Sequence, residues 1–145
     1  MDVKVKKLVP EAVLPKRAHA SDAGFDLVAV SRKVDEDGAI VYGTGLAFEI
    51  PEGYVGLVFP RSSIARKDLV LSNGVGVIDS GYRGEVMAKF RFVDPLLKHE
   101  AYDWYEVGDR IAQLIVMKLP DVGLVESEEL SESERGKGGY GSTGN

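Results

Sequence analysis

The sequence predicts an all-β fold, a barrel or sandwich of short strands. Two observations carry this: short apolar or alternating segments recur along the chain, and Gly, Pro and Asp punctuate the gaps between them. At 145 residues the chain suits one domain, long enough to bury a core without covalent staples.

Taken in order, strands are expected in "VKVKKLV" from Val3, "FDLVAV" from Phe25, "AIVY" from Ala39, "LAFEI" from Leu46 and "YVGLVF" from Tyr54. They continue with "VGVI" from Val75, "EVMAKFRF" from Glu85 and "IAQLIVMKL" from Ile111. Alternation in EVMAKFRF sets Val86, Ala88, Phe90 and Phe92 on one face and Met87, Lys89 and Arg91 on the other, as a half-buried strand requires. One segment reads as a short helix: "RSSIARKDL" follows Pro60, and Ser62 or Ser63 is placed to cap a turn or two. No internal repeat is present. From Asp121 the character changes, because "DVGLVESEELSESE" is rich in carboxylates and offers only Val122, Leu124, Val125 and Leu130 for packing. The expected division is a barrel core over 1–120, a connecting arm over 121–134 and a Gly-rich mobile tail over 135–145. Fully extended, the 15 residues from Asp121 to Arg135 span up to roughly 50 Å at about 3.3 Å each, enough to deliver the tail to another subunit.

Composition narrows the function. Without cysteine there is no disulfide, thiolate metal site or cysteine nucleophile, and His19 and His99 alone do not make a histidine metal cluster. No apolar run approaches the ~20 residues needed to span a bilayer, and no secretory leader precedes the first strand. A soluble cytoplasmic protein with no membrane partner is expected. The net charge of −5 argues against broad binding to nucleic-acid backbone, yet leaves room for one basic pocket holding a small polyphosphate.

The candidate chemistry lies in five fragments. "GVIDSGYRGE" runs from Val77 and Ile78 into Asp79 and then a Gly-rich turn, which reads as a hairpin with an acid at its lip. Asp79 is then either an ordinary turn former or a carboxylate placed to deprotonate water beside a pocket walled by Tyr82. "PRSSIA" sets Arg61 beside Ser62 and Ser63 at a helix start, either a cap with a solvated arginine or an anion site. "GDRIAQL" places Gln113 on a strand of aliphatics, and "SDAGFDL" places Asp22 and Asp26 around a glycine turn. The tail "RGKGGYGSTGN" has five glycines and one aromatic residue. It is either a solvated terminus or a phosphate clamp made of Arg135, Lys137, Ser142, Thr143 and converging backbone N–H groups, with Tyr140 as a stacking face.

In order and spelling these fragments closely resemble the five motifs of the trimeric dUTP pyrophosphatase (dUTPase) family: "AGFDL" at 23–27, "PRSSIA" at 60–65, "GVIDSGYRGE" at 76–85, "GDRIAQL" at 108–114 and "RGKGGYGSTG" at 135–144. The resemblance implies a jelly-roll-like β-barrel of the β-clip type, a homotrimer with sites shared between subunits, and hydrolysis of dUTP to dUMP and pyrophosphate. It implies Asp79 as the catalytic base for water attacking the α-phosphorus, with Mg²⁺ as cofactor reached through water by Asp26 and Gln113. Arg61, Ser62, Ser63 and Gln113 would hold phosphates. Asn73 with the Val77, Ile78 and Asp79 edge and Met87 would select uracil, and Tyr82 would exclude a 2′-hydroxyl. Arg135, Tyr140, Gly141, Ser142 and Thr143 would close over the nucleotide. The chain departs from many relatives in having Tyr140 for phenylalanine, Ser63 for glycine and Gly81 for a second acid. The competing expectations are a nucleotide-gated binding module of the same fold and a dCTP deaminase.

Overall fold

The structure, a computed structural model, describes residues 1–94 and 103–139. Among them are ten strands and one short helix. The strands are β1 (Lys4–Lys7), β2 (Phe25–Val28), β3 (Ser31–Val34), β4 (Ile40–Gly43), β5 (Leu46–Glu49), β6 (Tyr54–Pro60), β7 (Leu69–Leu71), β8 (Gly76–Ile78), β9 (Met87–Phe92) and β10 (Arg110–Lys118). Two four-stranded antiparallel sheets, β2-β10-β6-β8 and β3-β4-β9-β7, enclose the core, and β1 pairs with β5 at the side. This is the all-β architecture that the short punctuated segments predict, in the jelly-roll-like form that the family resemblance implies.

The core forms where inward positions of both sheets meet. Leu27, Ile40, Tyr42, Leu46, Phe90, Ile111 and Ala112 are fully buried. On β9, Ala88 and Phe90 are buried while Met87 and Arg91 are exposed, so the alternation of this strand is as expected. Tyr42, Phe90 and Tyr105 meet edge-on or tilted, with ring centroids 5.7 to 6.3 Å apart.

Three local expectations are corrected. The segment after Pro60 is a 3-10 helix, Ser62–Arg66, capped by the backbone of Arg61 with no side-chain hydrogen bond. Neither serine caps it, and Ser63 instead shares a hydrogen bond with the Tyr105 hydroxyl. The end of the expected helix, Leu69, instead starts strand β7. Finally, β8 and β9 do not form a hairpin with each other: β8 pairs with β6, whereas β9 pairs with β4 and β7. Residues 79–86 therefore cross from one sheet to the other. Backbone bonds tie the end of this crossover down, with Val86 N–H donating to the Leu46 carbonyl and the Thr44 hydroxyl to the Val86 carbonyl, at 2.8 and 2.7 Å.

Beyond Lys118 the described chain contains no strand or helix, and Leu124, Val125 and Leu130 are about 90% exposed or more. Among the described residues nothing covers them.

Candidate active site

The crossover and the exposed edge of β8 border a cavity of about 260 Å³. Six of the residues singled out from sequence line it: Asn73, Val77, Ile78, Asp79, Tyr82 and Met87. As the last strand of its sheet, β8 pairs only with β6, so the peptide groups along its other edge have no strand partner. Such an edge offers backbone donors and acceptors in fixed alternation, which can read a planar hydrogen-bonding ligand.

Asp79 distinguishes itself by what it lacks. The turn is closed by the Tyr82 N–H donating to the Asp79 backbone carbonyl at 3.0 Å, and the Asp79 carboxylate has no hydrogen bond or ion pair among the described residues. The other acid that lines this cavity, Glu85, is engaged, and so are some acids at other turns. Asp22 accepts the His19 N–H at 2.8 Å, Asp35 accepts the Asp37 and Ala39 N–H groups, and Glu85 accepts the Gly45 N–H at 2.8 Å. The turn-former alternative for Asp79 therefore leaves its side chain unaccounted for.

A second cavity, of about 480 Å³, is lined by Arg61, Ser63, Arg66, Lys67, Asp103, Tyr105, Asp109 and Arg110. It shares no lining residue with the first. Two of its lining arginines are held by Asp26, whose two oxygens accept Arg61 Nε at 2.7 Å and Arg110 Nη1 at 3.1 Å. Arg61 thus gives one of its five donors to Asp26 and keeps the rest available. Arg66 has no ion pair among the described residues, whereas Lys67 is paired with Asp103.

Strand register explains this grouping. Gln113 on β10 stands opposite Asp26 on β2, so both side chains project from the same face of the sheet. Between Arg110 and Ala112 a bulge interrupts the pairing of β10 with β2. Strict alternation would send Arg110 to the core side with Ala112; the extra residue turns it onto the Asp26 side. Gln113 donates from Nε2 to the Pro60 carbonyl at 3.0 Å, and Gly24 leaves room for its amide, since a Cβ there would lie 3.1 Å from the Gln113 Cβ and closer still to Oε1.

The remaining sequence candidates are placed as follows. Ser62 is exposed at the helix start, and Ser63 shares a 2.9 Å hydrogen bond with the Tyr105 hydroxyl. Arg135 lies in a turn, its Nε donating to the Gly138 carbonyl at 3.0 Å. Tyr140, Gly141, Ser142 and Thr143 lie outside the described residues. Arg66, Arg110 and Tyr105 escaped the sequence reading. A signal for Arg110 was present: in "RIAQL" the polar Arg110 and Gln113 are three apart around two apolar residues, a spacing that breaks the two-residue period.

The sequence profile of the family described as dUTPase matches residues 10–144 of the chain. The chain belongs to the dUTPase family. A deoxyuridine 5'-triphosphate nucleotidohydrolase of Corynebacterium glutamicum is 45% identical over 144 residues, 98% of this chain and 94% of that protein. A dUTPase of Staphylococcus bacteriophage 80alpha, solved with dUPNHPP, is 32% identical, superposes with a TM-score of 0.81 and covers 99% of both chains. A mutant dUTPase from phage phi11 of S. aureus, described as coordinating a structural Mg(II) ion, is 28% identical with a TM-score of 0.73, covering 89% of this chain and 98% of its own. The dUTPase motifs at 60–65 and 108–114 thus contribute to the arginine cavity, and the motif at 76–85 to the Asp79 cavity.

Proposed function

We propose that the chain hydrolyses dUTP to dUMP and pyrophosphate, by attack of water on the α-phosphorus. The single observation that carries the mechanism is the unengaged Asp79 carboxylate at the lip of the β8 cavity. A carboxylate without competing partners can accept a proton from an attacking water, a role typically worth ~10² to 10⁴ in rate. The β8 edge and Asn73 receive the uracil by pairing with its polar edge, and Val77, Ile78 and Met87 enclose it. Recognition by hydrogen bonds rejects a base with donors and acceptors exchanged by up to ~10⁴ or 10⁵. Tyr82 walls the sugar and crowds a 2′-hydroxyl.

The triphosphate belongs in the arginine cavity, with Arg61 and Ser62 as donors and Arg66 and Arg110 as added positive charge. Ser63 serves this site from behind, by anchoring the helix to Tyr105. Donors held in place before reaction stabilise charge that develops in the transition state. The tail residues Arg135, Tyr140, Gly141, Ser142 and Thr143 close over the nucleotide, Tyr140 stacking on the base, and exclude water.

A divalent cation fits in one way only. Among the described residues no group of three His, Cys, Asp or Glu is placed to enclose a metal, and both Asp26 oxygens face arginines. Direct capture by the protein does not suit these residues. Mg²⁺ carried on the phosphates does, since it retains several waters, and the paired Asp26 and Gln113 supply oxygens to which such waters can donate. When bound, such an ion would neutralise phosphate charge, and Asp26 and Gln113 would hold it through its waters.

We read the Asp79 cavity and the arginine cavity, which share no lining residue within one chain, as halves of a site completed between neighbouring subunits of a homotrimer. The exposed Leu124, Val125 and Leu130 support the same assembly, as apolar side chains that another subunit can cover.

The test is pyrophosphate release from dUTP, dCTP, dTTP and UTP with Mg²⁺, comparing wild type with Asp79→Asn. Release from dUTP alone, abolished in the variant, is expected. Binding of dUTP without release from any substrate would transfer the case to a nucleotide-gated binding module.

A further inference from the structure

Gly84 occupies an unusual position beneath Tyr82. A Cβ built on it would fall on the Tyr82 hydroxyl, 2.6 Å from ring carbon Cζ and 3.0 Å from Cε2. No side chain fits there while the ring keeps its place. The backbone does not demand glycine, because Gly84 is absent from the positive-φ glycines, Gly38, Gly45, Gly53, Gly74, Gly108 and Gly136. Alanine would therefore meet no conformational penalty at this position. The three atoms nearest to such a Cβ all belong to Tyr82, so the close approach of the ring excludes it.

The shelf on which the ring rests is firmly held. The Tyr82 hydroxyl donates to the Glu85 carbonyl at 3.0 Å, and the Glu85 carboxylate accepts the Gly45 N–H at 2.8 Å. The next residue, Val86, is bonded through both its N–H and its carbonyl to Leu46 and Thr44. The ring itself lines the Asp79 cavity and is 44% exposed, and its contact with Gly84 and its hydrogen bond to Glu85 help fix its direction.

We propose that Gly84 is a specificity-determining position, acting through Tyr82: its missing side chain lets the ring lie back against the crossover, and that placement sets the room left beside the sugar. The inference rests on the reading of this cavity as the nucleoside site. With a methyl group at 84 the ring must leave its shelf. The open direction is toward solvent, and a ring displaced that way admits a 2′-hydroxyl.

The experiment measures kcat/KM for dUTP and for UTP in wild type, Gly84→Ala, Tyr82→Leu and the double variant. In Gly84→Ala the dUTP-to-UTP ratio falls about tenfold or more, the scale of losing one steric discriminator. In the Tyr82→Leu background, where no ring remains to displace, adding Gly84→Ala changes the ratio by less than about twofold, the non-additivity expected of residues in contact. An unchanged ratio in Gly84→Ala, or an equal drop in both backgrounds, overturns the proposal. If Gly84→Ala hydrolyses neither nucleotide, recovered dUTP hydrolysis in the double variant identifies the ring as the obstacle and supports it. Continued inactivity there, with Tyr82→Leu active, overturns it. A wild-type chain with no preference for dUTP over UTP removes the nucleoside reading itself and the proposal with it, a result distinct from all of these.

Discussion

Asp26 and Asp79 are both acids beside glycine-containing turns, and they end in opposite states. Asp79 is exposed and unengaged, whereas Asp26 is largely buried, with 17% of its side chain accessible, and holds two guanidiniums. The motif spelling marked both as candidates, but not this difference, which depends on a strand register and a bulge that bring Arg110 within reach. Asp26 thus positions Arg61 and Arg110, in addition to any contact with a hydrated cation. Asp26→Asn is expected to keep the side-chain volume while releasing both arginines. Because misplacing a catalytic donor by about 1 Å costs up to ~10²-fold, kcat/KM for dUTP should fall by roughly 10- to 100-fold. Loss of charge-assisted hydrogen bonds should also destabilise the fold by about 1.5 to 3 kcal/mol. Steady-state kinetics together with denaturant unfolding would check both.

At the scale of elements, the aromatic cluster of Tyr42, Phe90 and Tyr105 links β4 and β9 to the loop before β10, and through the bond between Ser63 and Tyr105 it reaches the short helix of the arginine cavity. Phe90 was legible as an inward strand position, and Tyr42 as a strand residue with no face assigned. Tyr105 was not, since it lies in no strand and "WYEVGD" carries no period to assign it. Burial pushes the Tyr42 hydroxyl up from its ordinary 10.0 to about 12. A folded value above the unfolded one gives stability that is fully present below pH 10 and is lost as pH rises toward 12, at up to about 1.4 kcal/mol per pH unit for one group. Lys89 is also raised, by its hydrogen bond to Asp35, and its contribution is lost in the alkaline range as well. The informative quantity is therefore a difference. Tyr42→Phe should flatten the alkaline decline relative to wild type, while the Tyr105 carbonyl keeps its bond from Arg32 at 3.0 Å. Unfolding midpoints in denaturant at several pH values between 9 and 12 would measure it.

At the scale of the whole molecule, the two-cavity layout makes a prediction that no single-chain site would share. Sequence order could reveal the motifs but not which of them meet, because residues from different sheets and, on the reading above, different subunits converge only after assembly. Asp79 and Arg61 line cavities with no common residue. On the proposed reading of a cyclic trimer, each complete site takes Asp79 from one subunit and Arg61 from its neighbour. Asp79→Asn and Arg61→Ala homotrimers should each be nearly inactive. A trimer containing both kinds of chain, however, has one junction where an intact Asp79 meets an intact Arg61. Random assortment of equal amounts makes about three-quarters of trimers mixed, each with one good site in three, so co-refolded variants should recover roughly a quarter of wild-type activity. Mixing the two after assembly, without dissociation, should recover none. If both residues served a site within a single chain, every site would carry one lesion and co-refolding would restore nothing, so the recovered fraction reads directly whether the two cavities are halves of one active site.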